Sequence, residues 1–267
     1  MQRILVMDFE IIDFHTHPFI EPTSNICRYK DYIQNITVQD TMDDLKNLGV
    51  SKICGSVVLP FDKTNYDWSS VKRLNEIALE LSDIYGDFYV PGFHVHPSYI
   101  KESCEEIEAM HKRGIKLIGE VVPYMHGWTG YGTKELAEIL DVAEQYDMIF
   151  NLHTLDEEGI DKLLKNHPKL TVVAAHPGET EMFNRHLERM KKHKNYYLDL
   201  SGSGMFRHAS MRNAIDTVGV ERFLYGSDYP VCNPAMLLGG VVLDYTLTDE
   251  EKEFLLSKNA KRLLNLK

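Results

Sequence analysis

The sequence predicts a single (β/α)8 TIM barrel, distorted and with a long loop after its first strand, on three observations. Apolar runs of strand length alternate with amphipathic helical segments, eight of each, from Ile11 to near the C-terminal end. At 267 residues the chain has the length of one such barrel. No linker-like stretch, internal repeat or low-complexity tract divides it, so one domain is expected over 1–267, with 1–9 as a short lead-in. Strict alternation implies parallel strands joined by right-handed helical crossovers.

The first strand is Ile11-Ile12-Asp13-Phe14-His15-Thr16-His17, closed by Pro18, which has no N–H to give to a ladder. Side chains two apart share a face, so Asp13, His15 and His17 point the same way. Residues 18–36 read as a loop over a site. A helix over 37–48 stops at Gly49, a residue suited to a C-terminal cap. Ser51–Pro60 is β-branched without alternation, as expected of a strand covered on both faces. Helix 70–85, strand 88–96, helix 100–113 and strand 115–122 follow, then helix 133–146, strand 148–153, helix 157–166 and strand 170–176. Helix 180–192, strand 196–201, helix 207–218 and strand 222–228 complete the ring. A last helix over 248–265 opens with the capping-box pattern Thr248-Asp249-Glu250-Glu251.

A formal net charge of −11 argues against a protein that grips a polyphosphate backbone, so no nucleic-acid partner is expected. The cysteines Cys27, Cys54, Cys104 and Cys232 form no C-x-x-C pair and read as reduced thiols, which suits a cytoplasmic setting. No apolar run reaches transmembrane length and no signal-peptide core opens the chain, so no membrane association is expected.

In such a barrel, chemistry sits at the carboxyl ends of the strands. His15 and His17 end the first strand, and Glu120 lies near the end of the fourth in Gly119-Glu120-Val121-Val122-Pro123. His153 ends the fifth, His176 the sixth, and Asp228 the eighth in Gly226-Ser227-Asp228-Tyr229-Pro230. Singly, each has a plain explanation. A strand-end histidine is usually hydrogen-bonded, Asp228 could cap a turn, and Glu120 could pair with Lys116, which has the same parity. Together they are six groups of metal-ligand type at one end of the ring, and they point to a bound divalent ion.

The D-x-H-x-H of the first strand, the single histidines on the fifth and sixth, and G-S-D-Y-P on the eighth resemble the amidohydrolase superfamily. More narrowly they resemble its family 2 branch, which holds metal-dependent hydrolases and relatives of aminocarboxymuconate-semialdehyde decarboxylase. The resemblance runs from Ile11 to Asn259-Ala260-Lys261-Arg262-Leu263. It implies that His15, His17, His153 and Asp228 hold the metal, with His176 either a ligand or a partner of the attacking water. Glu120 is a departure, since many relatives carry a carbamylated lysine on this strand, although TatD-type deoxyribonucleases place a glutamate there. Lys116 is four residues upstream, about 13 Å down the barrel at strand rise, too deep to replace it. A bridge between two ions would therefore be Glu120.

The expected activity is hydrolysis of an amide, cyclic amide, lactone or ester of a small molecule by a metal-activated water. Asp228 would act as general base and then acid, and His176 would orient the water or polarise the carbonyl. Zinc, as one or two ions, suits nitrogen and carboxylate donors, with manganese, iron or nickel able to use the same set. Substrate contacts are expected from Tyr124, His126 and Trp128 after the fourth strand, from His94 in the second H-x-H pair with His96, and from Arg207 after the seventh. An arginine there could clamp a carboxylate, though it could equally be a solvated residue at a helix start. The alternatives are a non-hydrolytic decarboxylase of the same branch, a TatD-like nuclease, and a barrel that binds without catalysis. Whether the chain forms a homo-oligomer is left open.

Overall fold

In the computed structural model, which describes residues 9–29, 37–59, 66–204 and 207–267, eight short strands stand in sequence order around one curled sheet. They are β1 (Ile11–Asp13), β2 (Val50–Ser56), β3 (Tyr89–Phe93), β4 (Leu117–Val121), β5 (Ile149–His153), β6 (Thr171–Ala175), β7 (Tyr196–Asp199) and β8 (Phe223–Leu224). Every neighbouring pair is parallel. The seam between first and last strands is joined just beyond their ends. Phe14 N–H donates to the Tyr225 carbonyl (2.9 Å), Asp228 N–H to that of His15 (2.8 Å) and His17 N–H to that of Tyr229 (2.8 Å). The architecture is the (β/α)8 TIM barrel that the alternation predicts.

Strand residues bury both faces, which is why their sequences do not alternate. Ile12, Phe14, Cys54, Leu117, Ile149, Val173 and Leu224 form one apolar cluster with Ala260. Their neighbours along the strands, among them Ile11, Ile53, Ile118, Phe150, Val172 and Phe223, pack in the larger cluster with the helices. The helices are α1 (Val38–Asn47), α2 (Trp68–Tyr85), α3 (Ile100–Lys112), α4 (Lys134–Gln145), α5 (Glu157–Asn166), α6 (Thr180–Lys192) and α7 (Ser210–Val218). Then come α8 (Pro234–Val242), α9 (Asp249–Glu253) and α10 (Asn259–Leu264). The expected Thr248–Glu251 capping box is formed, and Thr37 with Asp40 makes a second.

Three expectations are corrected. Helix α8 was not foreseen, because Met236-Leu-Leu-Gly-Gly-Val-Val242 has no polar stripe to reveal a helical period; only Asn233 as N-cap and Pro234 in the first turn mark it. The single last helix is broken by a π-helical turn over Phe254–Lys258. At that turn the Leu255 carbonyl accepts the Tyr225 N–H (2.9 Å), and Asn259 Nδ2 donates to the carbonyls of Val220 and Phe223 (2.8 Å each). The strands are also shorter than read, so His15, His17, His176 and Asp228 stand beyond the ladders that carry them. Residues 1–8 of the lead-in, 30–36 of the first loop and Pro60 at the end of the second expected strand lie outside the described residues.

Candidate metal centre

Glu120 is the middle of the site. It comes up at the end of β4, only 3% exposed, and its two oxygens face different histidines. Oε2 lies 3.5 Å from His15 Nε2 and 3.4 Å from His17 Nε2. Oε1 lies 2.7 Å from His153 Nδ1 and 3.4 Å from His176 Nε2. Asp228 stands on the first side, with Oδ1 3.4 Å from His17 Nε2 and 3.8 Å from His15 Nε2. His15, His17 and Asp228 bring ligand atoms within 4.8 Å of one another, and so do His15, Glu120 and His176. All six residues that the sequence singled out as ligand types thus converge on one spot.

Their rings are held from behind. His17 Nδ1 donates to the Ser56 carbonyl (3.1 Å), leaving Nε2 toward Glu120. His15 Nδ1 lies 2.9 Å from Asp199 Oδ2, and His176 Nδ1 3.0 Å from Ser201 Oγ. Asp13 is fully buried below, and its Oδ1 accepts N–H from His15 (3.2 Å) and Ser227 (2.9 Å), tying the first strand to the last. Burial pushes the Asp13 carboxyl up to about 7, partly offset by its bonds to Ser227 and His15.

The backbone bends sharply where two of these six residues leave the ring. His176 (φ 68°) and Asp228 (φ 58°) both adopt left-handed conformations, uncommon for residues with a Cβ. Gly202 is also left-handed (φ +66°), and a Cβ there would meet His176 Nδ1 at 2.4 Å. Only a glycine lets the chain after β7 pass so close to this imidazole.

Electrostatically the cluster is a set of imidazoles around buried carboxylates. Burial alone would lower the His15 pKa, but Asp199 and Glu120 raise it well above the ordinary value. His17, opposed by burial and supported by hydrogen bonds to Asp228 and Glu120, is raised to about 9. His176 is raised against burial by Glu120. Burial would push Glu120 up, yet His15 and His153 hold it well below the carboxylate range. Buried negative charge this strong, facing nitrogen donors, suits a cation.

A cavity of about 690 Å³ opens above the cluster, lined among others by Arg28, His153, His176, Met182, Asp228 and Cys232. Tyr124 stands near it, 47% exposed, with its ring edge-on to His153 at 5.8 Å. His94, His126 and Trp128 are buried instead, in a cluster of rings where Tyr66 stacks on His96 and His126 while His94 and Trp128 meet them edge-on. His94 Nε2 donates to the Val57 carbonyl (2.9 Å) and His96 Nε2 to that of His126 (2.9 Å). Burial lowers the His94 pKa to about 4, so the ring is neutral and uncharged at ordinary pH. Arg207 Nη2 donates to Glu179 Oε2 (2.9 Å) on the exposed rim, so its charge is spent on a neighbour. Lys116 pairs outside the ring with Asp147 (2.8 Å), which removes the alternative in which it neutralises Glu120.

Asp199, Ser201 and Arg28 were missed. Asp199 and Ser201 lie in the last three positions of the expected strand 196–201, in Leu198-Asp199-Leu200-Ser201-Gly202, and that place is the only signal the sequence carries for them. Arg28 lies in the long first loop, where no periodicity tells which way a side chain turns.

The amidohydrolase family model matches residues 12–266, nearly the whole chain. The chain belongs to the amidohydrolase family. No curated protein matches it in sequence. Solved structures similar to this amidohydrolase-family barrel include 2,6-dihydroxybenzoate decarboxylase from Rhizobium, at 16% identity and TM-score 0.76, covering 97% of this chain and 99% of that one. The 5-carboxyvanillate decarboxylase of Sphingomonas paucimobilis is similar at 13% identity and TM-score 0.72, covering 97% and 100%. A dihydroxybenzoic acid decarboxylase of Polaromonas, solved with manganese and 2-nitroresorcinol, is similar at 14% identity and TM-score 0.69, covering 97% of each chain. At such identities the likeness speaks for the fold. Among the described residues no helix is long and apolar enough to cross a membrane.

Proposed function

We propose that the protein is a metal-dependent hydrolase of a small amide, cyclic amide, lactone or ester. One observation carries the reading: a single buried carboxylate, Glu120, offers each of its oxygens to a separate pair of imidazoles. That donor set suits one or two divalent ions, zinc or manganese, held by His15, His17, Glu120, His153 and Asp228, with His176 as ligand or partner. Such an ion supplies a water of lowered pKa and a Lewis acid for the substrate carbonyl.

The chain's own groups do the rest. Asp228 Oδ1 faces the nitrogens of His15 and His17, where it can take a proton from the nucleophile and return it to the leaving group. Its Oδ2 accepts a weak bond from the Cys232 thiol (3.7 Å), which steadies the carboxylate. His176 turns Nε2 toward Glu120 and lines the cavity, so it can orient the nucleophile or hold the substrate's oxygen. Tyr124 stands edge-on to His153, which lines the same space.

A second reading, non-hydrolytic decarboxylation, is supported by Arg28. This exposed cation lines the cavity with Asp228 and His176, where a substrate carboxylate would find a bidentate partner. The names of the decarboxylase structures similar in fold point the same way. The deciding experiment loads metal-stripped protein with Zn²⁺ or Mn²⁺ and screens lactones, amides and hydroxylated benzoates in ¹⁸O-water. Label in a product carboxylate supports hydrolysis, and carbon dioxide release with no label in the organic product supports decarboxylation. Neither product with any substrate, together with nicking of plasmid DNA, would transfer the reading to a nuclease. Absence of tightly bound metal would favour a binding barrel.

A further inference from the structure

Asp199 is fully buried at the end of β7, and four donors converge on its carboxylate. Oδ2 receives His15 Nδ1–H at 2.9 Å and Asn151 Nδ2 at 3.3 Å. Oδ1 receives the Ser201 N–H at 3.1 Å and the Ser201 hydroxyl. A hydroxyl has one hydrogen. With that hydrogen on Asp199, Ser201 Oγ can only accept, and His176 Nδ1 lies 3.0 Å from it. The hydrogen on that bond must therefore sit on His176 Nδ1. His15 Nδ1 is also 3.2 Å from Ser201 Oγ but closer to Asp199, so its hydrogen is directed mainly to the carboxylate. Both rings are left presenting Nε2 to Glu120, His15 at 3.5 Å from one oxygen and His176 at 3.4 Å from the other.

We propose that Asp199 and Ser201 are positioning residues forming one hydrogen-bonded clamp, which sets the tautomer and ring orientation of His15 and His176 together. The clamp rests on the metal-centre reading above and adds to it a coupling between the two sides of Glu120. His15 leaves the first strand and His176 the sixth, so nothing local in the chain would align them. Asp199 holds His15 directly and His176 through Ser201.

The test measures Mn²⁺ affinity by chelator competition on the full-length, metal-stripped protein and on Ser201→Ala, Asp199→Asn and the double variant. Ser201→Ala removes one buried oxygen and is expected to weaken Mn²⁺ about 10- to 100-fold, the range for groups that orient metal ligands. Asp199→Asn is expected to lose at least as much. The double variant should be no more than about 3-fold weaker than Asp199→Asn, because Ser201 fixes His176 only while Asp199 holds its hydroxyl hydrogen. The visible absorption of Co²⁺-loaded protein should shift in Ser201→Ala, a change in ligand orientation that a general loss of packing would not produce. Unchanged affinity and an unchanged Co²⁺ spectrum in Ser201→Ala overturn the clamp, as do fully additive losses. Wild-type protein that binds no Mn²⁺ overturns the metal-centre reading and the clamp with it. Should Asp199→Asn fail to fold, Ser201→Ala decides alone.

Discussion

Replacing Glu120 by glutamine keeps the side chain's shape and removes the one charge that both histidine pairs share. Its oxygens stand 2.7 to 3.5 Å from four imidazole nitrogens. At 3.4 Å, the His17 separation, a unit charge pair at an effective dielectric of about 20 is worth roughly 5 kcal/mol. After relaxation, removing one partner of a buried charge pair costs about 3 to 5 kcal/mol, and the lower part of that range, about 3 to 4, is expected at the metal. One decade in affinity is about 1.4 kcal/mol, so Zn²⁺ or Mn²⁺ should bind roughly 10²- to 10³-fold more weakly to Glu120→Gln. Calorimetric titration of metal-stripped protein measures this directly. In the metal-free state the same change should lower the His15 and His176 pKa values, since Glu120 helps raise both. A dissociation constant within about 3-fold of wild type would refute the central placement of this carboxylate, whatever the substrate.

His15→Ala, His17→Ala and Asp228→Asn are each expected to cut metal content or turnover at least about 10²-fold, read by elemental analysis and by activity on any substrate the screen identifies. Gly55→Ala should destabilise the fold by more than about 3 kcal/mol, because its Cβ would lie 2.0 Å from the Thr16 carbonyl oxygen at φ +145°; a melting temperature unchanged within a degree or so would contradict the packing at the β1–β2 seam. Stability should fall as pH drops below about 6.5, where an unfolded chain charges its histidines. Burial, chiefly, holds His186 at about 3 and His94 at about 4 in the fold, so their contribution is complete above about 6.5 and lost as pH falls toward those values. Denaturant melts from pH 7 to 4 should show this slope, and His186→Gln should make it shallower.

The barrel was legible in the sequence because its cause is local. Alternating runs of buried strand and one-sided helix declare their own periods, and parallel order follows from their alternation. The convergence of the six candidate donors was legible for a related reason: strand ends are known once strands are, and in this architecture they all open on one face. So His15, His17, Glu120, His153, His176 and Asp228 could be named before any coordinate. Helix α8 escaped because a stretch apolar all round carries no period. Tertiary structure alone decided where the side chains aim. Left-handed turns at His176 and Asp228 direct their groups inward, and Glu120 divides its oxygens between two histidine pairs. Asp199 and Ser201 reach back to rings some 180 and 25 residues away in the chain, and Arg207 turns to Glu179 instead of the cavity. These outcomes depend on contacts between residues far apart in sequence, and periodicity, which reports only a residue's near neighbours, holds no record of them.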